Sequence, residues 1–364
     1  MKEKDKILKT LRAQIDQIDE RIVSAINERT EIVLKIGELK NRHQARVYAP
    51  DREHDVYKKI FRLNKGPIRN KSLEAVYKEI MSASLALERE IVIGFLGPEG
   101  SFTHQACIRK FGSSLPFKSM HTIEDIFKAV EKKECDYAVV PVENSSEGGV
   151  NDTLDMFIDS HVYICSEISM PVHHNLMNKT GDITKIKKVY SKLQVFEQCR
   201  HWILNNMPHV ELVEVSSSSK AACMAAEDGQ SAAIASDICA DMYGLVIVSR
   251  SIEHNANNVT RFVILSTEYP KPTGHDKTSL VVFMKDKVGA LYDMLLYFKS
   301  HDLNLTRIES RPSKRRPWEY YFYIDFIGHC DKPKVRDLIK NLKDHCESVK
   351  ILGSYPQYKE PVEE

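Results

Sequence analysis

The chain changes hydrophobic rhythm twice. Through residues 1–90 the apolar positions keep a helical spacing: Leu8, Leu11, Ile15, Ile18, Ile22 and Ala25, then Ile32, Val33, Ile36 and Leu39. Between Lys6 and Lys40 only Gly37 opposes a helix, at a cost of about 1 kcal/mol. The spacing therefore predicts a single helix of about 35 residues, about 50 Å long at 1.5 Å per residue. One helix of that length cannot bury its own stripe. The segment offers two more helices, one after Pro50 and one over Ser72–Glu90, and the partner expected for the stripe is a second copy of the chain.

From 91 to 270 strand and helix patterns alternate. IVIGFL, DYAVVPV, KKVYS, VELVEV and SAAIAS read as strands, and THQACIRKF, FEQCRHWILNN and SSSSKAACMAAE as helices. That order predicts an α/β sheet covered on both faces, in one large domain or two lobes. PKPTGH, residues 270–275, reads as a linker. Beyond it, TSLVVFMK, VGALYDMLLYFKSHD, LNLTRIESRPS, EYYFYIDFIG, KPKVRDLIKNLKDHC and SVKILGSY give the ferredoxin-like order βαββαβ. Domains are expected at 1–90, 91–271 and 277–358.

Composition narrows the function classes. The 364 residues are 42% hydrophobic and 28% charged, with a net charge of +1, so bulk charge gives no nucleic-acid footprint. No run approaches the ~18 apolar residues of a membrane span. The start, MKEKDKILKT, has no apolar targeting core, so a cytoplasmic location is expected. Eight cysteines stand apart, with no CxxC pair; Cys199 and His201 are too close for the usual zinc spacings. His173 and His174 form a lone pair after Pro171. No metal, no disulfide and no cofactor are expected.

In the first segment Arg29 and Lys40 are eleven residues apart, which on a helix is about 20° of rotation and about 16 Å of rise. Two long side chains there could grip one small dianion. Arg12 lies about 25 Å from Arg29 and about 100° off that face. It reaches the same ligand only across an antiparallel dimer with its dyad near residue 23. Taken alone, these are plainly read as solvated charges. Arg52 and Glu53 follow Pro50, and Ser84 and Glu88 are an i, i+4 pair.

The strings LRAQIDQIDERIVSAINERTEIVLKIGELK, YAPDRE and IMSASLALE resemble the all-helical chorismate mutase domain, over nearly all of 6–90. The resemblance implies a pericyclic rearrangement of chorismate to prephenate, helped by positioning and electrostatics alone. It implies that Arg12 (from the partner chain), Arg29 and Arg52 contact carboxylates. Lys40 would donate to the ether oxygen and a carboxylate, Glu53 would bind the ring hydroxyl, Ser84 would support a carboxylate, and Glu88 would face the ether oxygen. Ala49 stands where some members have an acidic residue, and Glu88 where some have glutamine.

In the middle segment three strand-to-helix junctions offer converging N–H groups: GPEGSFTHQA, ENSSEGGVND and SSSSKAA. Singly each is an ordinary capped helix; three in one domain point to an anionic small molecule. The stretch NNVTRFVIL, from Asn257 to Leu265, reads by itself as a turn entering a buried strand. GPEGSFTHQA, VPVENSSEGGVNDTLD, SKLQVFEQCR and NNVTRF, in that order, resemble prephenate dehydratase. The resemblance implies two α/β lobes like type II periplasmic binding proteins, with 249–270 returning to the first lobe. It implies loss of CO2 and water from prephenate to give phenylpyruvate. Thr260 would be the hydroxyl donor to the leaving oxygen, a hydrogen-bond donor or relay because threonine is a very weak acid. Arg261 would fix the strand entrance or a carboxylate. Glu143, Asn144, Ser191 and Gln198 would line the cleft. Where members often read S-H-P-Q, this chain has Ser191-Lys192-Leu193-Gln194.

GALYDMLLYF and NLTRIESRP resemble the ACT regulatory domain. The resemblance implies phenylalanine as allosteric inhibitor, held between chains of a homodimer or tetramer by Gly289, Ala290, Leu291, Asn304, Glu309, Ser310, Arg311 and Pro312. Two other readings of the whole chain are a monofunctional dehydratase whose helical domain only dimerises, and a non-catalytic amino-acid-responsive regulator. The intact Thr260 and the lack of a basic stripe weigh against the regulator.

Glutamine always donates a hydrogen bond, whereas glutamate must be protonated to do so. Mutase activity should therefore fall with rising pH as Glu88 loses its proton, and Glu88→Gln should flatten that fall. Identical pH–rate profiles for the two enzymes would refute the assignment.

Overall fold

The computed structural model describes residues 2–42, 48–255, 257–284, 287–313 and 320–358. The first helix, α1 (Lys2–Arg42), runs 41 residues and so outlasts the predicted span at its N-terminal end. Glu3 and Asp5 in its first turn and Lys40 and Arg42 in its last complement the helix dipole. Its apolar stripe stays open, with Leu11, Ile15 and Ile18 each about half exposed. Next come α2 (Pro50–Leu63), which Pro50 starts at a position where its missing N–H costs nothing, and α3 (Asn70–Glu88). Gly37 has a packing reason beyond tolerance. A Cβ there would lie 2.9 Å from Glu88 Cγ, so the glycine lets the end of α3 close on α1.

The chain divides into two compact units. The first gathers α1, the end of α2, α3 and the stretch Phe111–Leu115. Within it, Ser113 N and Oγ donate to Glu79 at 3.1 and 2.9 Å, and Ser114 N donates to Ser82 Oγ.

The second unit holds the start of α2 and the rest of the chain from Val92. It begins with β1 (Ile93–Leu96), α4 (Phe102–Phe111), β2 (Phe117–Met120), α5 (Ile123–Glu131) and β3 (Tyr137–Asn144). There follow β4 (Gly148–Gly149), α6 (Asn151–Asp159) and β5 (Tyr163–Pro171). The chain then builds β6 (Asn175–Asn178), β7 (Lys188–Ser191), α7 (Leu193–Asn206), β8 (Glu211–Glu214), α8 (Ser218–Glu227), β9 (Ser231–Ala235), α9 (Asp237–Tyr243) and β10 (Val246–Ser249). It returns as β11 (Val259–Ser266). The first sheet has the order β2-β1-β3-β11-β5, with β4 on β3; the second has β10-β6-β9-β7-β8. So β11 sits antiparallel between β3 and β5, which the chain laid down before it built the second sheet. Caps fix the helix starts locally: Thr122 accepts from Asp125 N, and Ser217 from Lys220 N.

The last stretch is β12 (Asp276–Phe283), α10 (Ala290–Ser300), β13 (Leu305–Pro312), β14 (Tyr320–Ile327), α11 (Pro333–His345) and β15 (Ser348–Pro356), in the order β13-β14-β12-β15. The 271–276 segment is an ordered turn, because the Asp276 carboxylate accepts from Thr273 N, Thr273 Oγ1 and Gly274 N. One face of this sheet covers α10 and α11 through Leu280, Val282, Phe298, Phe326, Leu338 and Leu342. The other face joins the first sheet in a single core. Val281, Phe283, Tyr323, Leu352 and Tyr355 pack with Val263, Leu265, Phe127 and Phe157. Polar anchors reinforce it: Tyr323 Oη donates to Leu154 O at 2.6 Å, and Lys350 Nζ to Phe157 O at 2.7 Å and Ile158 O at 3.1 Å. Burial lowers the Lys350 pKa.

At Gly353 the backbones of β15 and β5 touch, and a Cβ would run into the Ile164 carbonyl. Gly353→Ala should therefore destabilise the full chain by about 1–3 kcal/mol, the usual cost of overpacking. A thermal-unfolding comparison checks this; an unchanged transition temperature would mean the two sheets can slide apart freely.

Candidate active sites

In the first unit, α1 and α3 present two matched pairs. Arg29 Nη1 donates to Ser84 Oγ at 2.8 Å, and Ser84 Oγ in turn donates to Ile80 O at 2.7 Å. One face along, Lys40 Nζ lies 3.3 and 3.2 Å from the Glu88 carboxylate oxygens. The Glu88 side chain is only 5% exposed, and that of Lys40 27%. Ser84 and Glu88 are four residues apart on α3, about 6 Å of rise, whereas Arg29 and Lys40 are eleven apart on α1, about 16 Å, so the two long cationic side chains span the difference to reach their partners. Arg12 is exposed on the same unbroken helix, about 25 Å from Arg29. Arg52 and Glu53, in the first turn of α2, belong to the second unit, where Glu53 pairs with Lys110 at 3.0 Å.

In the second unit, β11 and β3 form the other constellation. Register places Thr260 opposite Asn144 and Arg261 opposite Glu143. Thr260 is 8% exposed. Asn144 Nδ2 donates to Thr260 Oγ1 at 2.8 Å and to Asn258 Oδ1 at 2.8 Å. Its Oδ1 accepts from Ser146 N at 2.9 Å and Glu147 N at 3.2 Å, which fixes the amide. Thr260 Oγ1 thus accepts from Asn144, and among the described residues nothing takes its own proton. That hydroxyl is poised to donate outward.

His174, just before β6, and Gln194 and Gln198 on α7 bring further polar groups to Glu147. His174 Nε2 donates to Gln198 Oε1 at 2.6 Å, turning the Gln198 amide nitrogen toward Glu147, 3.5 Å away. Gln194 also donates to Glu147. Burial lowers the pKa of His174, and its Nδ1 is buried without a partner among the described residues. Phe102, from the GPEGSFTHQA motif, meets the His174 ring edge-on at 5.6 Å. Ser191 is fully buried and donates to Ile234 O at 2.8 Å, a bond that ties β7 to β9.

Arg261 points to the opposite sheet face from Thr260. Its Nε donates to Glu167 at 2.8 Å, Nη1 to Asp325 at 2.5 Å and Nη2 to Tyr355 Oη at 2.9 Å. Burial alone would lower its pKa, but Asp325 foremost among its partners holds it well above its ordinary value. Burial likewise works against ionised Asp325, yet the Arg261 charge keeps its pKa below the ordinary carboxylate value. Glu143 lies 3.5 Å from both Arg261 Nη1 and Arg307 Nε.

Of the remaining sequence candidates, Gly289 caps α10 at φ +82°, the left-handed region that favours glycine. Ala290 and Leu291 open that helix. Asn304 O accepts from Ile327 N, just before β13. Glu309, Ser310, Arg311 and Pro312 close β13. Glu309 pairs with Arg307 and packs against Gly149, and Arg311 lies 3.4 Å from Asp155.

The sequence reading missed Asn258, Glu147 and His174 as parts of this constellation. The first two sit inside quoted motifs; His174 carried only the signal of a lone pair of histidines. A group of His329, Cys330 and Asp331 has metal-type donors within 4.8 Å. His329 Nε2 donates to Pro270 O and its Nδ1 accepts from Asp331 N, so the ring is already satisfied by the fold and does not fit a metal ligand. No disulfide joins the described cysteines, and no described helix is long and apolar enough to cross a membrane.

The chorismate mutase type II profile matches residues 11–89, and the prephenate dehydratase profile residues 93–270. A bifunctional chorismate mutase/prephenate dehydratase of Aquifex aeolicus (strain VF5) is 44% identical over 354 residues, 96% of this chain and 98% of the relative. One of the same description from Pseudomonas aeruginosa is 40% identical over 358 residues, with 96% and 98% covered. Among solved structures, the prephenate dehydratase of Arthrobacter aurescens in complex with L-Phe superposes with a TM-score of 0.67 at 33% identity, covering 73% of this chain and 90% of that one. On these likenesses, nearly end to end, the chain belongs to the bifunctional chorismate mutase/prephenate dehydratase family.

Proposed function

We propose that the two reactions of this bifunctional enzyme run at the two constellations described above. In the first, chorismate rearranges to prephenate in one pericyclic step, with no nucleophile. Arg29 and Lys40 supply the charge complementarity, Ser84 orients Arg29, and Glu88 faces the ether oxygen. Arg52 and Glu53 take a carboxylate and the ring hydroxyl, and Arg12 comes from a second chain. The exposed stripe of α1 supports such a partner, because an unpaired apolar face of that length favours burial. The Lys40–Glu88 pair is the resting arrangement; Glu88 must take up a proton before it can donate to the ether oxygen.

In the second reaction prephenate loses CO2 and its ring hydroxyl. The C–C bond to the ring carboxylate breaks, its electron pair completes the aromatic ring, and the hydroxyl departs with a hydrogen bond from Thr260. The observation that carries this reading is the Asn144 amide, which occupies the Thr260 acceptor side and leaves the hydroxyl proton free to follow the leaving oxygen. Gln198 and Asn144 are the remaining contacts of the reading; Glu143, expected from the sequence to line the cleft, alternates to the other face of β3 and meets Arg261 and Arg307 instead. Ser191 supports the strand beneath them through Ile234.

The domains of this reading are 1–90, 91–271 and 277–358, the middle one built as two lobes of the type II periplasmic-binding-protein kind. The last is an ACT regulatory domain that takes phenylalanine between chains of a dimer or tetramer, at Gly289–Leu291 and Glu309–Pro312. The phenylalanine held by the Arthrobacter aurescens relative supports that ligand, and the βαββαβ order of the last sheet supports that domain.

A coupled assay on the full chain tests the whole scheme. Chorismate should yield phenylpyruvate, and added phenylalanine should slow the second step. Thr260→Ala should leave mutase turnover intact while dehydratase turnover falls by about a hundredfold or more, the scale of losing a positioned acid–base group. Parallel loss of both activities would instead signal misfolding.

Gly37→Ala gives an independent check on the first site. Intrinsic propensity favours alanine in α1 by about 1 kcal/mol, yet its methyl would displace Glu88. Mutase turnover should fall about tenfold, as for other misplaced catalytic groups, with dehydratase turnover unchanged. Undiminished mutase turnover would remove Glu88 from the site.

A further inference from the structure

Alternation along β11 turns Thr260 to one face of the first sheet and Arg261 to the face that the last sheet covers. The register between β11 and β3 slips immediately after Arg261, where Phe262 falls opposite Pro141 rather than Val142. A slip of this kind loosens the ladder and re-aims the neighbouring side chains. The ladder to β5 stays in register from Val259 to Ile264 and holds the backbone on that side; on the β3 side something besides the ladder must fix the strand entrance that carries Thr260. The Arg261 fork does so, and two of its partners come from the last sheet: Asp325 on β14 and Tyr355 on β15. Ser279 on β12 ties these two together, 2.5 Å from Asp325 Oδ1 and 2.6 Å from Tyr355 Oη. Lys277 closes the other side by pairing with Glu167 at 2.9 Å. A planar guanidinium held at three nitrogens has little freedom left.

We propose that Asp325 and Tyr355 are positioning residues for the dehydratase reaction, acting through Arg261 to hold the Thr260 hydroxyl on line with the leaving oxygen. This rests on the reading of Thr260 as the donor. The last sheet is then part of the catalytic apparatus even with no effector bound. A merely structural role would lower the amount of folded enzyme without separating kcat from KM, and would not separate the two activities.

The test uses the full-length enzyme, with both activities and the thermal transition measured on each preparation. Asp325→Ala should lower dehydratase kcat about tenfold or more, as expected when a reacting group shifts by a fraction of an ångström. Prephenate KM should stay within about twofold, the pattern of a lost transition-state interaction, and mutase turnover should not change. Asp325→Asn keeps an acceptor of the same shape and should recover most of the loss. Tyr355→Phe removes one neutral acceptor and should give a smaller loss of the same kind; it decides the matter if Asp325→Ala does not fold. Wild-type dehydratase kcat in folded Asp325→Ala or, failing that, in Tyr355→Phe, or a loss confined to KM, overturns the proposal while Thr260→Ala is inactive. An active Thr260→Ala overturns the donor reading beneath it.

Discussion

A guanidinium taken out of water is tolerable only among acceptors, and the second unit is organised around one such group. Arg261 brings its charge into the seam between two sheets, where Glu167 and Asp325 meet it from opposite sides. Each of the three would be costly alone: breaking a buried pair by removing one partner typically costs 3–5 kcal/mol. Together they close a network that reaches Lys277, Ser279 and Tyr355. Apolar packing around it supplies cohesion without direction, whereas the network admits only one relative placement of the sheets.

The two active sites solve different physical problems with the same economy of parts. On the proposed assignment, the first holds a flexible substrate in one conformer and needs fixed charge, which long side chains on two helices would provide. The second must release a poor leaving group and needs an aimed hydroxyl. That hydroxyl, on the same proposed assignment, is Thr260, set by the Asn144 amide, whose own orientation is locked by two backbone N–H groups. Neither needs a reactive nucleophile, and the buried thiols fit that picture: burial pushes Cys199 up to about 12 and Cys239 up to about 11, so neither is a thiolate near neutral pH.

Much of this was legible in the chain because it is local. The 3-4 spacing of Leu8 through Leu39 announces α1, and the period of Ser84 and Glu88 places them together on α3. The motif around Asn144 and the one around Thr260 are readable singly, and a resemblance joins them. Long-range pairing was not legible. Asp325 sits mid-strand in EYYFYIDFIG and looks like any solvent-facing residue of an alternating strand; its partner Arg261 is 64 positions away. Glu53 gave no sign that Lys110 would claim it. Ser191 kept the family's serine, but only the fold reveals that its hydroxyl serves the Ile234 carbonyl. The C-terminal segment looked separable because PKPTGH has linker composition, yet Asp276 organises that stretch into a turn and the sheets share a core.

The place of β11 sets the order in which this molecule can be made. The first sheet keeps a gap between β3 and β5 until the chain has produced the whole of the second sheet and come back. On a ribosome the second sheet has its complete sequence before the first does, and can condense while its neighbour is still unfinished. The pairing that finishes the first sheet joins strands more than a hundred residues apart, as Asn144 and Thr260 are, with a separation of 116, so its loop closure comes late. The same strand carries Thr260, the proposed donor, and the arginine that anchors the last sheet. On the proposed assignment, dehydratase competence therefore emerges late in folding, long after α1, α2 and α3 have been synthesised.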